Sequence, residues 1–290
     1  MLYAVVGVSG NTGAATARAL LERGARVRVV VRDPAKGKAW ADRGAEVAVA
    51  DLADPYSLAQ AFDGVRAAYV LNPPAYTMAD IFARAELLAA AIHEAARNAR
   101  LRRLVVLSSV GAHLSSGNGN IRTNAIFERV LSDLGGSAVF LRAAYFMENW
   151  AWVAAAAAGE GVLPSLLSPL DRAIPMVSSA DIGRVAAEAM LDGGGGMRVL
   201  ELEGPRAFSP ADAAAAFAKA LGRPVAAVKV PEADWPGALA ASHFSPTTIA
   251  SWVELFRGFN SGRIGFERPE AVARGRVSME EAIAAIVREK

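Results

Sequence analysis

The first 32 residues constrain the fold of this chain most, because a short apolar run, a glycine-rich turn and a second apolar run follow one another there. Leu2–Val6 contains no charged residue and is too short for a helix, which is typical of a buried parallel strand. A helix is predicted from about Thr12 to Arg23, and Ala25–Val31 is predicted to be the second strand. This order is that of a βαβ unit that binds a dinucleotide.

The glycine-rich turn has the spacing GxxGxxG, whereas the dinucleotide fingerprint is usually GxGxxG. Gly7 permits the tight turn, Gly10 leaves no side chain between backbone and pyrophosphate, and Gly13 allows the helix to approach the strand. The alternative is an ordinary glycine turn, and the flanking strand and helix favour the dinucleotide site, with helix N–H groups facing the phosphates. The residues expected at this site are Gly7, Ser9, Gly10, Asn11, Thr12 and Gly13.

The end of the second predicted strand indicates which dinucleotide is bound. An acidic residue there binds the ribose hydroxyls of NAD, whereas an arginine accommodates the 2′-phosphate of NADP. Arg32 comes first here, and Lys36 can add a second positive charge, so NADP(H) is favoured. Asp33 keeps NAD(H) possible, and a solvated turn at these residues would leave the choice open.

The composition excludes several classes of site. With 290 residues, 53% of them hydrophobic, the chain is long enough for one large core and a smaller lobe. The 31 basic residues are scattered among 29 acidic ones, which argues against nucleic-acid binding. There is no cysteine, and the three histidines are far apart, so no metal site is expected. No leader or membrane span is recognised, and a cytoplasmic location is expected.

Further apolar segments alternate with helical patterns and predict a doubly wound parallel α/β sheet of six strands. The four additional strand candidates are Ala45–Asp51, Ala67–Asn72, Arg103–Ser109 and Ser137–Arg142. The longest predicted helix runs from about Met78 to Arg100. Its Ala-rich face either packs on the sheet or forms a homodimer contact, and the spacing does not separate the two.

Ligands of such sheets bind outside the carboxyl ends of the strands, and this rule extends the expected cofactor site. The residues that it adds are Asp51, Leu52, Asn72, Pro73, Ser108 and Ser109. For Asp51 two roles stay open, since it either reaches the adenine amino group or caps the helix that begins near Asp54.

The regular alternation stops after residue 150, which predicts a second, smaller lobe. Residues 1–150 are expected to form the Rossmann domain. A returning segment near 177–204, which includes the strand candidate Arg198–Glu203, is expected to belong to that domain. Residues 151–176 and 205–290 are then expected to form a small, mainly helical C-terminal cap over the cofactor cleft.

Four segments together resemble the NmrA-like family of atypical short-chain dehydrogenases/reductases. They are Gly7–Gly13, Val31–Lys36, Leu107–Ala112 and Phe140–Asn149, with weaker likeness at Gly258–Gly262 and Arg274–Arg276. The resemblance spans nearly the whole chain. It implies an NAD(P)-binding Rossmann domain with a variable C-terminal substrate region, in a family that includes NAD(P)H:quinone reductases, dye reductases and redox-sensing regulators.

The chain departs from active short-chain reductases at one motif. Those enzymes usually protonate the carbonyl oxygen with a Tyr-x-x-x-Lys pair, and no tyrosine here is followed four residues later by lysine. The corresponding helix is expected around Ile121–Glu128. Ketone reduction driven by tyrosine is therefore not expected. A quinone or conjugated acceptor delocalises the arriving charge and takes its proton from water, so positioning can suffice.

The segment after Arg142 supplies the candidates for the acceptor site. Tyr145, Phe146 and Trp150 offer flat apolar surface, and in quinone-reducing relatives the equivalent stretch lines the nicotinamide pocket. Packing between sheet and cap is an equally weighted alternative for Tyr145 and Phe146. Asn149 either hydrogen-bonds the acceptor or satisfies local backbone. The acid, if there is one, is Tyr145 or His113, although His113 fits an exposed loop residue better.

Three functions follow from these residues. An NAD(P)H-dependent reductase of quinones or similar electron-poor small molecules is favoured. The alternative is a non-catalytic sensor that binds NAD(P) and docks on a partner protein, as the missing Tyr-Lys pair would allow. An isomerase or epimerase ranks last, because the tyrosine base is missing.

Overall fold

A computed structural model describes residues 1–134, 138–192 and 194–288 of the chain. Its strands are β1 (Leu2–Val6), β2 (Arg26–Val31), β3 (Glu46–Val49), β4 (Val65–Val70), β5 (Arg103–Ser109), β6 (Ala138–Ala143), β7 (Tyr145–Phe146), β8 (Val162–Ser165), β9 (Ile174–Val177), β10 (Arg198–Glu203), β11 (Ala207–Phe208), β12 (Ala226–Lys229) and β13 (Ala273–Arg274). Its α-helices are α1 (Asn11–Glu22), α2 (Lys38–Ala41), α3 (Pro55–Ala61), α4 (Ile81–Asn98), α5 (Arg122–Leu131), α6 (Ala154–Glu160), α7 (Ser179–Leu191), α8 (Pro210–Leu221), α9 (Trp235–Ala240), α10 (Pro246–Ser261) and α11 (Met279–Arg288).

Within the described residues, eight strands form one parallel sheet in the order β3-β2-β1-β4-β5-β6-β10-β13. Strands β2 and β3 are added in succession on one side of β1, and strands β4, β5 and β6 are added in succession on its other side. The order therefore reverses between β1 and β4, and the crevice at that point is where such sheets bind nucleotides. The predicted doubly wound Rossmann fold is confirmed.

Both faces of the sheet are covered, which explains the uninterrupted apolar sequence of β1. Tyr3 and Val5 belong to a core packed against α1 and α7, whereas Leu2, Ala4 and Val6 face a second core under α3, α4 and α5. All five side chains are buried. A third core lies mainly among the elements that follow β6 and includes Phe217, Trp235 and Phe256.

The predicted elements are mostly present, with shifted ends. The long helix begins at Ile81, not Met78, because the carboxylate of Asp80 accepts hydrogen bonds from the N–H groups of Phe82 and Ala83. Its apolar face packs on the sheet, as one of the two expectations for it required. The last predicted strand of the first half is observed as β6, and Ser137 lies outside the described residues.

The sheet also gains strands that follow residue 150. The returning strand Arg198–Glu203 is β10, as predicted, and pairs with β6. The two-residue strand β13 was not predicted, because Ala273–Arg274 is too short to show a periodic pattern. It pairs with β10, and the residues just after it are bound by Asp181 in the first turn of α7, whose carboxylate accepts hydrogen bonds from the N–H groups of Arg276 and Val277.

The cap combines α6 and α8 to α11 with two small sheets, β7-β9-β11 and β8-β12. The boundaries of a separate cap domain stay a prediction. None of the described helices has both the length and the apolar content required to cross a bilayer.

A buried ion-pair network joins the sheet to the C-terminal segment. Arg142 on β6 donates to both carboxylate oxygens of Glu128 on α5, at 2.9 and 2.7 Å, and pairs with Glu267. Glu201 on β10 lies 3.8 Å from the same guanidinium and accepts hydrogen bonds from two backbone N–H groups, at positions 267 and 268. The network therefore fixes this segment against the carboxyl edge of the sheet.

Candidate functional site

The glycine-rich turn after β1 has the geometry that its sequence predicts. Gly7 has φ +75°, and a Cβ there would lie 2.7 Å from Cδ2 of Leu71. A Cβ on Gly13 would collide with the carbonyl of Gly7, so this glycine lets α1 approach the turn. A Cβ on Gly10 would contact only the Gly7 carbonyl oxygen, at 3.6 Å, and otherwise faces open space.

Helix α1 begins beside that open space. Gly10 is its N-cap, so no side chain caps the helix, and the first turn carries no acidic residue. The N-terminal N–H groups and the positive end of the helix dipole are therefore free to bind an anion. This arrangement fits the pyrophosphate of a dinucleotide.

Two cavities meet at the glycine-rich turn. The outer cavity, of about 930 Å³, lies at the carboxyl ends of β1, β2 and β3 and beside α4. The inner cavity, of about 520 Å³, lies between the ends of β4, β5 and β6 and helix α10 of the cap. The residues that line both are Gly7, Ser9, Pro73 and Arg84. We call the two together the cleft.

The outer cavity contains the residues predicted to select the cofactor. Arg32 and Lys36 line it, and within the described part of the chain neither side chain has a hydrogen-bond or ion-pair partner. The carboxylate of Asp33, by contrast, accepts a hydrogen bond from the N–H of Ala35 and caps the following turn. The unpaired charge at the end of β2 is therefore positive.

Asp51 and Leu52 also line the outer cavity. The carboxylate of Asp51 accepts a hydrogen bond from the N–H of Ala53, at 2.9 Å, and Asp54 caps α3 in its place. Of the two roles considered for Asp51, capping of α3 is therefore wrong, and contact with the adenine stays a prediction.

The inner cavity brings together the other predicted cofactor residues. Those that line it are Ser9, Gly10, Asn11, Thr12, Asn72, Pro73, Ser108 and Ser109. Gly13 lies behind the turn and lines neither cavity. Ser108 donates a 2.5 Å hydrogen bond from its Oγ to Glu128, which connects this wall of the cleft to the buried ion-pair network.

Aromatic rings form the far wall of the inner cavity. Tyr145 and Phe146 line it, as predicted from the sequence, and Tyr145 contacts Phe259 edge-to-face with 5.6 Å between ring centroids. Tyr76 and Trp252 complete the wall and contact each other at 5.6 Å. These two were not predicted, because they come from a loop and a cap helix that only the tertiary fold brings to the cleft.

The Tyr145 hydroxyl is a weak acid in this environment. Burial raises the pKa of Tyr145 above its usual range, and a hydrogen bond with the side chain of Asn149 opposes this only in part. The hydroxyl is therefore protonated at every pH near neutrality. Asn149 also lines the inner cavity, so both partners of this hydrogen bond border the space for an acceptor.

Besides Gly13, two residues predicted for the acceptor end lie outside the cleft. Trp150 is only 4% exposed and packs in the core of the cap, with its ring centroid 6.4 Å from that of Tyr145. His113 is half-buried, lines neither cavity and interacts electrostatically with Glu267. The expectation that Trp150 contacts the acceptor is therefore wrong. His113 is not placed to donate a proton in the cleft, and it is half-buried, whereas the sequence favours an exposed loop residue.

Comparisons with known proteins agree with this geometry. Residues 2–261 match the model of the NmrA-like family. The NAD(P)H azoreductase of Xenophilus azovorans is 29% identical over 227 residues, which are 78% of this chain and 76% of that protein. Quinone oxidoreductase 2 of Escherichia coli is 28% identical over 243 residues, or 82% and 81% of the two chains. The crystal structure of the latter type of enzyme complexed with NADPH has a TM-score of 0.79, at 23% identity, and covers 99% of this chain and 100% of that one.

Proposed function

The chain belongs to the NmrA-like family, and on that premise we propose that it is an NAD(P)H-dependent reductase of small, electron-poor acceptors, with quinones as the favoured class. The main support for the proposal is the order of the groups along the cleft. It runs from unpaired cations past an uncapped helix N-terminus to an aromatic wall. Relatives named for azo and quinone reduction support the same chemistry.

The residues of the cleft fit the three parts of a dinucleotide. Arg32, Lys36 and Asp51 would hold the adenosine end in the outer cavity. Gly10 and the N-terminus of α1 would hold the pyrophosphate, and Ser109 would line the nicotinamide end in the inner cavity. When bound, NAD(P)H supplies a hydride from its nicotinamide. Residues 1–150 with 177–204 would thus hold the cofactor, and 151–176 with 205–290 would close the acceptor end.

Arg32→Ala is expected to weaken NADPH binding by about 2 kcal/mol and to leave NADH binding nearly unchanged, because only NADPH carries the 2′-phosphate that the guanidinium would pair with. Equilibrium titrations of both cofactors with wild type and variant measure the difference. Arg18→Ala, at an exposed position of α1 that lines neither cavity, is the matched control. Equal losses for NADPH and NADH would refute the role of Arg32.

In this proposal the inner cavity promotes hydride transfer by positioning the acceptor, and no side chain acts as a general acid. Tyr145 and Phe146 line the inner cavity and offer flat surface on which a ring can lie. The Tyr145 proton is held tightly, since burial raises the pKa of this hydroxyl. The proton that completes reduction of a quinone would therefore come from solvent after hydride transfer.

Tyr145→Phe tests this reading of the inner cavity. It keeps the ring and removes the hydroxyl, so kcat for a quinone is expected to fall by no more than about 3-fold, whereas loss of a general acid costs about 100-fold or more. Tyr145→Ala, which removes the ring as well, should raise KM for the quinone. A loss near 100-fold in the phenylalanine variant would make Tyr145 the acid and contradict the proposal.

A second function is favoured by one observation, that neither His113 nor an ionisable tyrosine supplies a ready proton to the inner cavity. A non-catalytic sensor would bind NADP⁺ at least as tightly as NADPH and would not oxidise NADPH in the presence of acceptors. Following NADPH absorbance with a panel of quinones, enones and azo dyes, together with titration of both redox forms, separates the two functions. Turnover establishes the reductase, and tight binding without turnover establishes the sensor.

A further inference from the structure

Arg84 on α4 occupies a position in the cleft that the sequence did not single out. It is half-buried and, with Gly7, Ser9 and Pro73, is one of the residues that line both cavities. One guanidinium nitrogen, Nη1, donates to the carbonyl oxygen of Pro73 at 3.0 Å and approaches Oδ1 of Asn72 at 3.5 Å. In the part of the chain that the structure describes, Nε and Nη2 have no protein partner, and neither is enclosed.

No carboxylate of the cavity neutralises this guanidinium by direct contact. Three aspartates line the outer cavity, and each is engaged in its own turn. Asp33 accepts from the N–H of Ala35, Asp51 from that of Ala53, and Asp80 from two N–H groups of α4. Arg84 therefore keeps its charge in the cleft without a salt bridge to any described residue.

The surroundings of Arg84 are unfavourable to a cation. Burial lowers the pKa of Arg84, the neighbouring charge of Arg32 lowers it further, and Asp51 offsets part of this. Arg84 also lies in the first turn of α4, where the helix dipole is positive. Burial, the charge of Arg32 and the helix dipole thus all disfavour the positive charge of Arg84, and an anion bound in the cleft would offset these effects.

Resting on the proposed function, we infer that Arg84 is a second phosphate-binding element of the site, which holds the pyrophosphate of the dinucleotide from the side opposite the glycine-rich turn. The pyrophosphate joins the two nucleosides and must cross the junction of the cavities, which is where Arg84 lies with Gly7 and Ser9. Arg32 and Lys36 line only the outer cavity, so they suit the 2′-phosphate. The free Nε and Nη2 donors suit two phosphate oxygens at once.

The test is binding to fragments of the cofactor. Arg84→Met removes the charge and keeps most of the side-chain volume, and it is expected to weaken ADP-ribose, NADH and NADPH alike by about 10-fold. Binding of 2′-AMP, which lacks the pyrophosphate, should stay within about 2-fold of wild type. Arg84→Lys should recover part of the loss. Arg66→Met is the matched control. Arg66 lies at the amino end of β4, whereas the cleft lies at the carboxyl ends of the strands.

Three results would overturn the inference. Loss of 2′-AMP binding with ADP-ribose binding retained would move Arg84 to the 2′-phosphate. An equal loss of affinity for all four ligands, with a lower thermal midpoint, would mean that Arg84 only stabilises the loop at Pro73. Unchanged affinity for all of them would remove it from the site. Failure of the wild-type protein to bind NADPH, NADH or ADP-ribose is a different outcome, since it overturns the proposed function itself.

Discussion

Gly10→Asp is expected to weaken NADPH binding by about 100-fold or more without lowering the stability of the fold. A Cβ at this position meets only the Gly7 carbonyl oxygen within 4 Å, and the backbone of Gly10, with φ −110°, suits any residue. Aspartate is moreover a good N-cap, so its carboxylate would accept from the N–H groups of α1. Those are the groups proposed to bind the pyrophosphate, and the new charge would repel it.

Titration with NADPH and NADH measures the loss of cofactor affinity, and thermal unfolding of the free protein measures the stability of the fold. Gly10→Ala is the control for bulk without charge and should lose less affinity. Gly13→Ala should instead lower the thermal midpoint, because its methyl group would collide with the turn. Undiminished NADPH affinity in Gly10→Asp would show that the pyrophosphate does not bind at the start of α1.

Arg142→Leu is expected to lower the free energy of unfolding by about 3–5 kcal/mol, since it leaves buried carboxylates without their counter-charge. The side chain of Arg142 is 6% exposed. Those of Glu128 and Glu201 are 13% and 2% exposed, so water reaches these two carboxylates poorly, whereas that of Glu267 is 50% exposed. Burial alone would lower the pKa of Arg142, and hydrogen bonds and charges of Glu128 and Glu267 raise it instead. The Arg142 guanidinium is thus held in its charged form.

Urea unfolding of wild type and variant measures this change. The control is Arg129→Leu, which removes an ion pair with Glu86 whose two side chains are 62% and 48% exposed, and which should cost about 0–1 kcal/mol. A loss below about 1 kcal/mol for Arg142→Leu would mean that the network contributes no more than a surface pair.

Local sequence signals predicted the elements that carry their own pattern. The run of β1, the glycines of the turn and the returning strand β10 were each predicted from a few neighbouring residues, because strand length, glycine spacing and an apolar pattern are local properties of the sequence. The position of Arg32 at the cleft was predicted in the same way, from its place at the end of β2, and its contact with the 2′-phosphate stays a prediction.

Contacts set by the tertiary fold were not readable. Arg84 and Trp252 reach the cleft from helices α4 and α10, and no spacing links them to the glycine-rich turn. The prediction that Trp150 contacts the acceptor was wrong because residues 147–153 form a 3₁₀-helix, in which positions three apart share a face. Trp150 therefore points with Met147 into the core of the cap, while Asn149 faces the cleft.

Single-turnover oxidation of NADPH deuterated at either the pro-R or the pro-S position of C4, with a naphthoquinone as acceptor, tests hydride transfer in the cleft most directly. A cleft that holds the nicotinamide in one orientation presents only one of the two hydrogens to the acceptor. The expected result is oxidation well above the rate without protein, with a primary isotope effect from one labelled cofactor and none from the other. Oxidation no faster than in the absence of protein, or no isotope effect from either position, would contradict the reductase.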